Sequence, residues 1–333
     1  MVEIPLRNNS TILKIYESYE ERQRKSPPRI HLGASEIGHE CERKIWYSYR
    51  WVAEQVFNGR MLRLFDTGKL EENRLVADLN GIDGVDVKAF DLKTGRQFRL
   101  DLFGGHFGGS LDGLCIGIPE APKTWHVLEM KTHNDKSFKS LVSKGVKESK
   151  PEHFIQMQAY MGMSHEQTIP LVGSPIERAF YFAVNKNTDD LYEERVHFEP
   201  IEYEKIKAKA KRVLFSNKPL PKISSDEDFY VCKMCHFKEI CHSKEIKISS
   251  KRNCRTCLHS TAYDDGTWRC EKFNKVLGIT EQREGCMNHL YIPGLVPLRQ
   301  TDVLENDKGV IYESEELDTY INYEGGELRA YNK

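Results

Sequence analysis

Apolar residues repeat at helical spacing through the first eighty positions, and then the pattern shortens. Ile12, Leu13, Ile15 and Tyr16 form a stripe that predicts a helix to about Arg24, capped by Ser10 or Asn9 and ended by Pro27-Pro28. Ile37, Cys41, Ile45 and Trp46 predict a second helix over 35–49. Leu62, Phe65, Leu75, Val76 and Leu79 predict the inward face of a third, over about 60–79. Segments 85–91, 97–102, 109–118 and 125–131 alternate or run apolar between glycines, as strands do. Helices are expected at 136–143 and 153–163. A strand pair follows at 176–185 and 191–198, around a polar turn, and then a lysine-rich helix at 201–215. Beyond Pro219 and Pro221 no long periodic segment remains. The tail from Leu295 is acidic and polar, suited to a peripheral strand, a docking arm or partial disorder. No internal repeat or low-complexity stretch is present.

The composition adds few exclusions. With 39% hydrophobic and 30% charged residues, the 333-residue chain reads as soluble and globular. No apolar run is long enough to cross a bilayer. The opening Met-Val-Glu-Ile-Pro lacks the features of a signal peptide, so a cytoplasmic protein without membrane partners is expected. The net charge of -1 does not exclude nucleic acid, because only the contacting face must be basic. Lys131, Lys136, Lys139, Lys144, Lys147 and Lys150 form a local excess that could face phosphates or solvent.

The chemistry concentrates in Gly109-Ser-Leu-Asp112-Gly and Val127-Leu-Glu129-Met-Lys131-Thr. On a strand, Glu129 and Lys131 point to one face, because side chains alternate with period two. Asp112, at a turn entering the preceding strand, can reach the same point. Two converging carboxylates make a hard oxygen site suited to Mg²⁺ or Mn²⁺. Such an ion generates a nucleophilic water for phosphodiester hydrolysis, and an adjacent ammonium can orient that water and stabilise developing charge. His106, within Gly104-Gly-His-Phe-Gly-Gly109, is either a further site residue or a structural histidine; the glycines could let backbone approach DNA. The stretch lacks G-K-[ST], which argues against an NTP-binding loop.

D-G followed by E-x-K resembles the PD-(D/E)XK nucleases, and two further segments resemble their RecB-like branch. In Phe65-Asp-Thr-Gly68-Lys-Leu-Glu71-Glu72-Asn, Glu72 sits at the spacing of the G-K-x-x-E-N helix of lambda exonuclease. The resemblance implies that Glu72 is a third acid on the metal, while Glu71 stands where RecB-like enzymes often have histidine. His153-Phe-Ile-Gln156-Met-Gln158-Ala-Tyr160 resembles the Q-x-x-x-Y motif, which implies that Gln156 and Tyr160 hold the catalytic strand and the DNA backbone. Gln158 would be the active glutamine in another register.

Nine cysteines are present, seven of them between residues 232 and 286, and their C-x2-C spacing argues for metal rather than disulfides. Ser35-Glu-Ile-Gly-His-Glu-Cys41-Glu-Arg43-Lys-Ile-Trp46 and Cys232-x2-Cys235-x5-Cys241 resemble the opening and closing ligands of the iron–sulfur nucleases of CRISPR adaptation. AddB-type nucleases split a cluster in the same way. Four thiolates suit a [4Fe–4S] cluster, and zinc would fit the same set. A cluster there would tie distant chain segments together as a structural element. Cys254, Cys257, Cys270 and Cys286 form a second quartet with the spacing of a zinc ribbon, in which His289 or His259 could replace one cysteine. Trp268, Arg255 and Lys272 could serve DNA or protein contacts there. Cys115 is expected to be a buried strand thiol.

These features predict an α/β, restriction-endonuclease-like fold with a central mixed sheet flanked by helices. The expected divisions are a nuclease domain over 1–244, a zinc-ribbon-like module over 250–293 and a tail over 294–333. The function they imply is a metal-dependent DNA exonuclease of phage-type recombination or end processing. The resemblance implies that it works beside a single-strand annealing protein or a helicase, in a bacterial host cell if phage-encoded. The alternatives are a CRISPR-adaptation or repair nuclease trimming single-stranded overhangs, and a non-cleaving DNA-binding subunit.

Overall fold

The structure is a computed structural model and describes residues 10–243, 245–304, 308–316 and 318–331. Contacts divide the chain into two units that are not contiguous in sequence. The first gathers residues 1–28, 55–100 and 109–204, and the second 29–54, 101–108 and 205–333.

In the first unit, Ser10 caps helix α1 (Thr11–Lys25) by accepting from the Leu13 amide. Asn9 lies outside the described residues. Of the expected apolar stripe, Ile12 and Ile15 are exposed and Leu13 and Tyr16 only half-buried, so none of it enters a core. The helix docks by backbone proximity instead. A Cβ on Gly59 would meet the Tyr16 carbonyl oxygen at 2.3 Å, and the Gly59 amide donates to the Glu20 carboxylate. Gly59 opens α2 (Gly59–Asn80), which Asn58 caps. Only the second half of α2 faces a core: Leu75 and Leu79 are buried, whereas Phe65, expected inside, is exposed and packs edge-on against Phe57.

Leu75 and Leu79 cover one face of a five-stranded mixed sheet. Its strands, in spatial order, are β1 (Asp86–Lys88), β2 (Gly113–Ile116), β3 (His126–His133), β4 (Arg178–Asn185) and β5 (Leu191–His197). All pairings are antiparallel except β3 with β4. That parallel pair requires a crossover, supplied by α3 (Asp135–Ser149) and α4 (Pro151–Glu166). α3 continues past its expected end through a break at Gly145, whose φ of 72° suits glycine, and the following Val146 amide donates to Glu194. Leu128 and Met130 of β3 join the cluster under α2, which leaves Glu129 and Lys131 on the opposite face.

In the second unit, the helix expected from Ser35 begins only at Glu42. The preceding residues turn: Glu36 donates to the Gly33 carbonyl, His39 to that of Glu36, and Cys41 to the His39 ring. Leu32–Gly33 is instead a short strand parallel to Phe107 and Gly108. Trp268 and Arg255, expected as surface contacts, are each 2% exposed, and Lys272 is ion-paired with Glu324. The two buried residues therefore serve the interior. The tail is neither a lone strand nor a bare arm. Segments Arg299–Val303, Gly309–Glu313, Thr319–Tyr323 and Glu327–Ala330 form an antiparallel sheet, and Val310 and Tyr312 pack on Tyr291 and Val296.

Candidate active site

The first unit brings Asp112, Glu129 and Lys131 together. Asp112 precedes β2, and its carboxylate accepts from the Met130 amide at 2.9 Å, which fixes it beside β3. The Lys131 ammonium lies 3.6 Å from Asp112 and is ion-paired with Glu129. Gln156 of α4 donates to the other Glu129 oxygen at 3.1 Å. Tyr160, one turn on, donates to the Ser110 carbonyl at 2.9 Å and so holds the segment entering Asp112. A Cβ on Gly109 would stand 2.4 Å from the Tyr160 hydroxyl oxygen, so this close approach requires glycine. Glu72 on α2 senses the charges of Asp112 and Lys131, which places it at the same cluster.

The electrostatics are those of crowded acids around one cation. Glu129 is completely buried, and its carboxyl is pushed up to about 8, first by burial and further by Asp112 and Glu72, against the pull of Lys131. The Glu72 carboxyl is raised by partial burial and by Asp112. Burial would lower the Lys131 ammonium, but Glu129 and Asp112 outweigh it and hold the group well above its ordinary value. The ammonium thus occupies the shared field of the carboxylates.

Three residues that had no assigned role in the sequence complete this face. Tyr181 of β4 pairs with Glu129 across the sheet, and its hydroxyl meets the rings of His133 at 2.8 Å and His153 at 2.9 Å. Burial lowers both histidines, to about 4 and about 3, with Lys131 contributing to each. Both are therefore neutral near pH 7. His153 lies three residues before Gln156, and that helical spacing was a usable signal. Tyr181 carried none, because strand order cannot be read from an isolated strand.

Gln158 faces elsewhere, bonded to the His197 carbonyl at 2.7 Å and the Glu199 amide at 2.8 Å, so Gln156 is the glutamine of the site. Glu71 turns to Arg74 at 3.5 Å. Of the lysine series, Lys139 pairs with Asp135 and Lys147 with Glu199. His106 belongs to the second unit, buried against Tyr49 at 2.9 Å, where it is structural. The buried Cys115 thiol is pushed up to about 12, which leaves it unreactive.

The second unit gathers both cysteine quartets. Cys41, Cys232, Cys235 and Cys241 line one small cavity of about 20 Å³ together with Lys44 and Phe237. Burial and the other three sulfurs raise the Cys232 thiol. Cys254 is pushed up to about 12 by burial and by Cys257, Cys286 and Cys270, and its thiol meets the Glu281 carbonyl. His289 packs instead on Thr256 at 3.2 Å. Among the described residues, no group of three or more histidine, cysteine or acidic side chains is placed to hold a metal ion. Binding an ion at any of these sets would require the side chains to close on it and to release the protons they carry. The donor chemistry fits in each case: hard oxygens around Lys131, and sulfur alone in the quartets.

No family model and no curated protein matches the sequence. Among solved structures, the protein SSO0001 is similar with a TM-score of 0.42 and 14% identity, over 72% of this chain and 100% of its own. An alkaline exonuclease from Laribacter hongkongensis is similar with a TM-score of 0.39 and 17% identity, over 60% of this chain and 90% of its own. The same exonuclease in complex with dAMP gives 0.38 and 14%, over the same shares.

The raised Glu129 carboxyl has a measurable consequence for stability. Between the ordinary glutamate value and about 8, the folded state binds a proton that the unfolded chain has lost. The contribution of Glu129 to the stability of the ion-free protein is therefore greatest below that window and falls as pH rises through it. Thermal unfolding in EDTA from pH 5 to pH 8 will show the melting temperature of the wild type declining relative to that of Glu129→Gln, because both share the opposing contribution of the neutral His133 and His153 and differ only in the buried carboxyl. An equal decline in the variant would contradict the assignment.

Proposed function

We propose that the protein is a Mg²⁺- or Mn²⁺-dependent DNA exonuclease. The observation that supports this most is the meeting of Asp112, buried Glu129 and the Lys131 ammonium at one point of the mixed sheet. Asp112, Glu129 and Glu72 would hold the ion, which when bound supplies Lewis acidity to a phosphate oxygen and a nucleophilic water near neutral pH. To serve as a ligand Glu129 would give up its proton, and Gln156 would keep its carboxylate in one orientation by donating to one of its oxygens. The Lys131 ammonium, beside both carboxylates, would orient the attacking water and stabilise the charge that builds on the phosphoryl oxygens. Tyr160 fixes the backbone at Ser110, and with it the position of Asp112.

Gln156→Ala leaves a buried carboxylate without its donor. It will reduce Mn²⁺ affinity or cleavage by about 10- to 100-fold. Gln156→Glu, which cannot donate when ionised, will not restore it. Activity near wild type in Gln156→Ala would refute the orienting role.

The exonuclease reading itself is tested by substrate topology. Linear duplex DNA will be degraded to nucleotides, and covalently closed circles will survive under the same conditions. Linearisation of closed circles would instead identify an endonuclease. Resection of ends is the reaction that a single-strand annealing protein would follow, so such a protein is the expected partner. We assign the Cys41, Cys232, Cys235 and Cys241 cavity to a [4Fe–4S] cluster. Four thiols spread around a cavity bordered by basic Lys44 support a polyatomic anionic cofactor there.

A further inference from the structure

The second unit buries two guanidinium groups without an acid. Arg50 is 0% exposed and Arg255 2% exposed. Among the described residues neither forms an ion pair with a carboxylate. Arg255 donates to the carbonyls of Tyr49 and Ile30 and to Gln282. Arg50 donates to the carbonyls of Ser216, Arg255 and Ser260, and its Nε has no partner. Trp268 lies against both cations, with their guanidinium carbons 5.0 and 4.8 Å from its ring. Aromatic faces and carbonyls lessen the cost of burying charge, but they do not neutralise it. Guanidinium groups keep their proton, so the interior carries two positive charges that require a counter-charge.

That counter-charge has an evident source in the same loop. Arg255 stands between Cys254 and Cys257, and the carbonyls of Arg255 and Ser260 that receive Arg50 belong to the turn carrying both cysteines. Cys270 lies on the strand Trp268–Cys270, whose first residue is the shared tryptophan. Cys286 follows the turn at Gly285, which has a φ of 66°.

We propose that Cys254, Cys257, Cys270 and Cys286 bind one thiophilic divalent cation of the Zn²⁺ class as a tetrathiolate, with Arg50 and Arg255 as its buried counter-ions. Four thiols bind the dication and release four protons, so the centre carries two negative charges. These match the two guanidinium groups. Four protonated thiols would leave the arginines uncompensated. The centre also anchors the helix Glu42–Tyr49 to the cysteine loop through Arg50, so metal loading and order in that helix are coupled. The inference does not depend on the nuclease reading.

The test uses the full-length chain, reduced and stripped of metal, titrated anaerobically with Co²⁺ and with Zn²⁺ against a chromogenic chelator. Cys286 is exposed, so Cys286→Ser removes a ligand without disturbing the interior. Wild type will bind one more Zn²⁺ than Cys286→Ser, and the visible tetrathiolate cobalt spectrum of this site will vanish in the variant. This difference holds whether or not the Cys41 quartet also takes up metal. Arg50→Met will weaken Zn²⁺ binding by about tenfold or more, and Arg50→Lys by less, because the lysine keeps the charge. If Arg50→Met folds only with metal, its faster zinc loss to the chelator from the loaded protein reports the same effect. Equal zinc content in wild type and Cys286→Ser would overturn the site. Wild-type zinc affinity and release in Arg50→Met would overturn the counter-ion role.

Discussion

Lys131→Met will lower DNA hydrolysis by about 10³-fold while leaving the fold intact. The size of the loss follows from the role proposed for the ammonium, since one preorganised donor aimed at developing charge contributes about 10²–10³-fold. The fold survives because Glu129 already sits near neutrality, with its carboxyl raised to about 8. When the neighbouring charge is removed, this carboxyl takes up a proton instead of remaining as a bare buried anion. Asp112→Asn will be equally inactive for another reason. It keeps the bond from the Met130 amide and loses only the negative charge. Steady-state cleavage of labelled duplex, with circular dichroism as the folding control, checks both. Either variant at more than a tenth of wild-type rate would exclude the assigned roles.

Cys232→Ser will lose the visible absorption expected of an iron–sulfur cluster and will destabilise the second unit. Cys232 is buried in the cavity it shares with Cys41, Cys235 and Cys241. A cluster there would join segments far apart in the chain, and removing a covalent cross-link of that kind costs about 2–5 kcal/mol. For a unit of this size a loss of about 4 kcal/mol lowers the melting temperature by roughly 8–16 °C. Iron and sulfide analysis together with thermal unfolding of anaerobically purified protein tests this. Full iron content and unchanged melting in the variant would remove the cluster assignment.

The site was legible in the sequence where local periodicity sufficed. The period-two rule placed Glu129 and Lys131 on one face, and four-residue spacing aligned Gln156 with Tyr160. Both arrangements depend only on neighbours in the chain, and both are present. Tyr181 was not legible, because its place beside Glu129 arises from a parallel pairing across a two-helix crossover. The stripe of α1 misled for a related reason. Ile12 and Ile15 repeat correctly, yet both are exposed, and at Gly59 the backbone of α2 approaches that of α1 directly. Arg255 and Trp268 misled most. Charge and aromaticity suggested a surface, and only the long-range approach of Arg50 and Tyr49 shows them as interior groups. The tail was obscure because its strands are short and two of its four strands expose most residues, so little alternation marks them.

Time-resolved digestion of end-labelled linear duplex by the wild-type protein tests the central claim most directly. It requires parallel reactions in Mn²⁺, Mg²⁺ and EDTA. Progressive release of nucleotides with either ion, and none in EDTA, is the result predicted. Intact DNA after prolonged incubation of folded protein with both ions would contradict it.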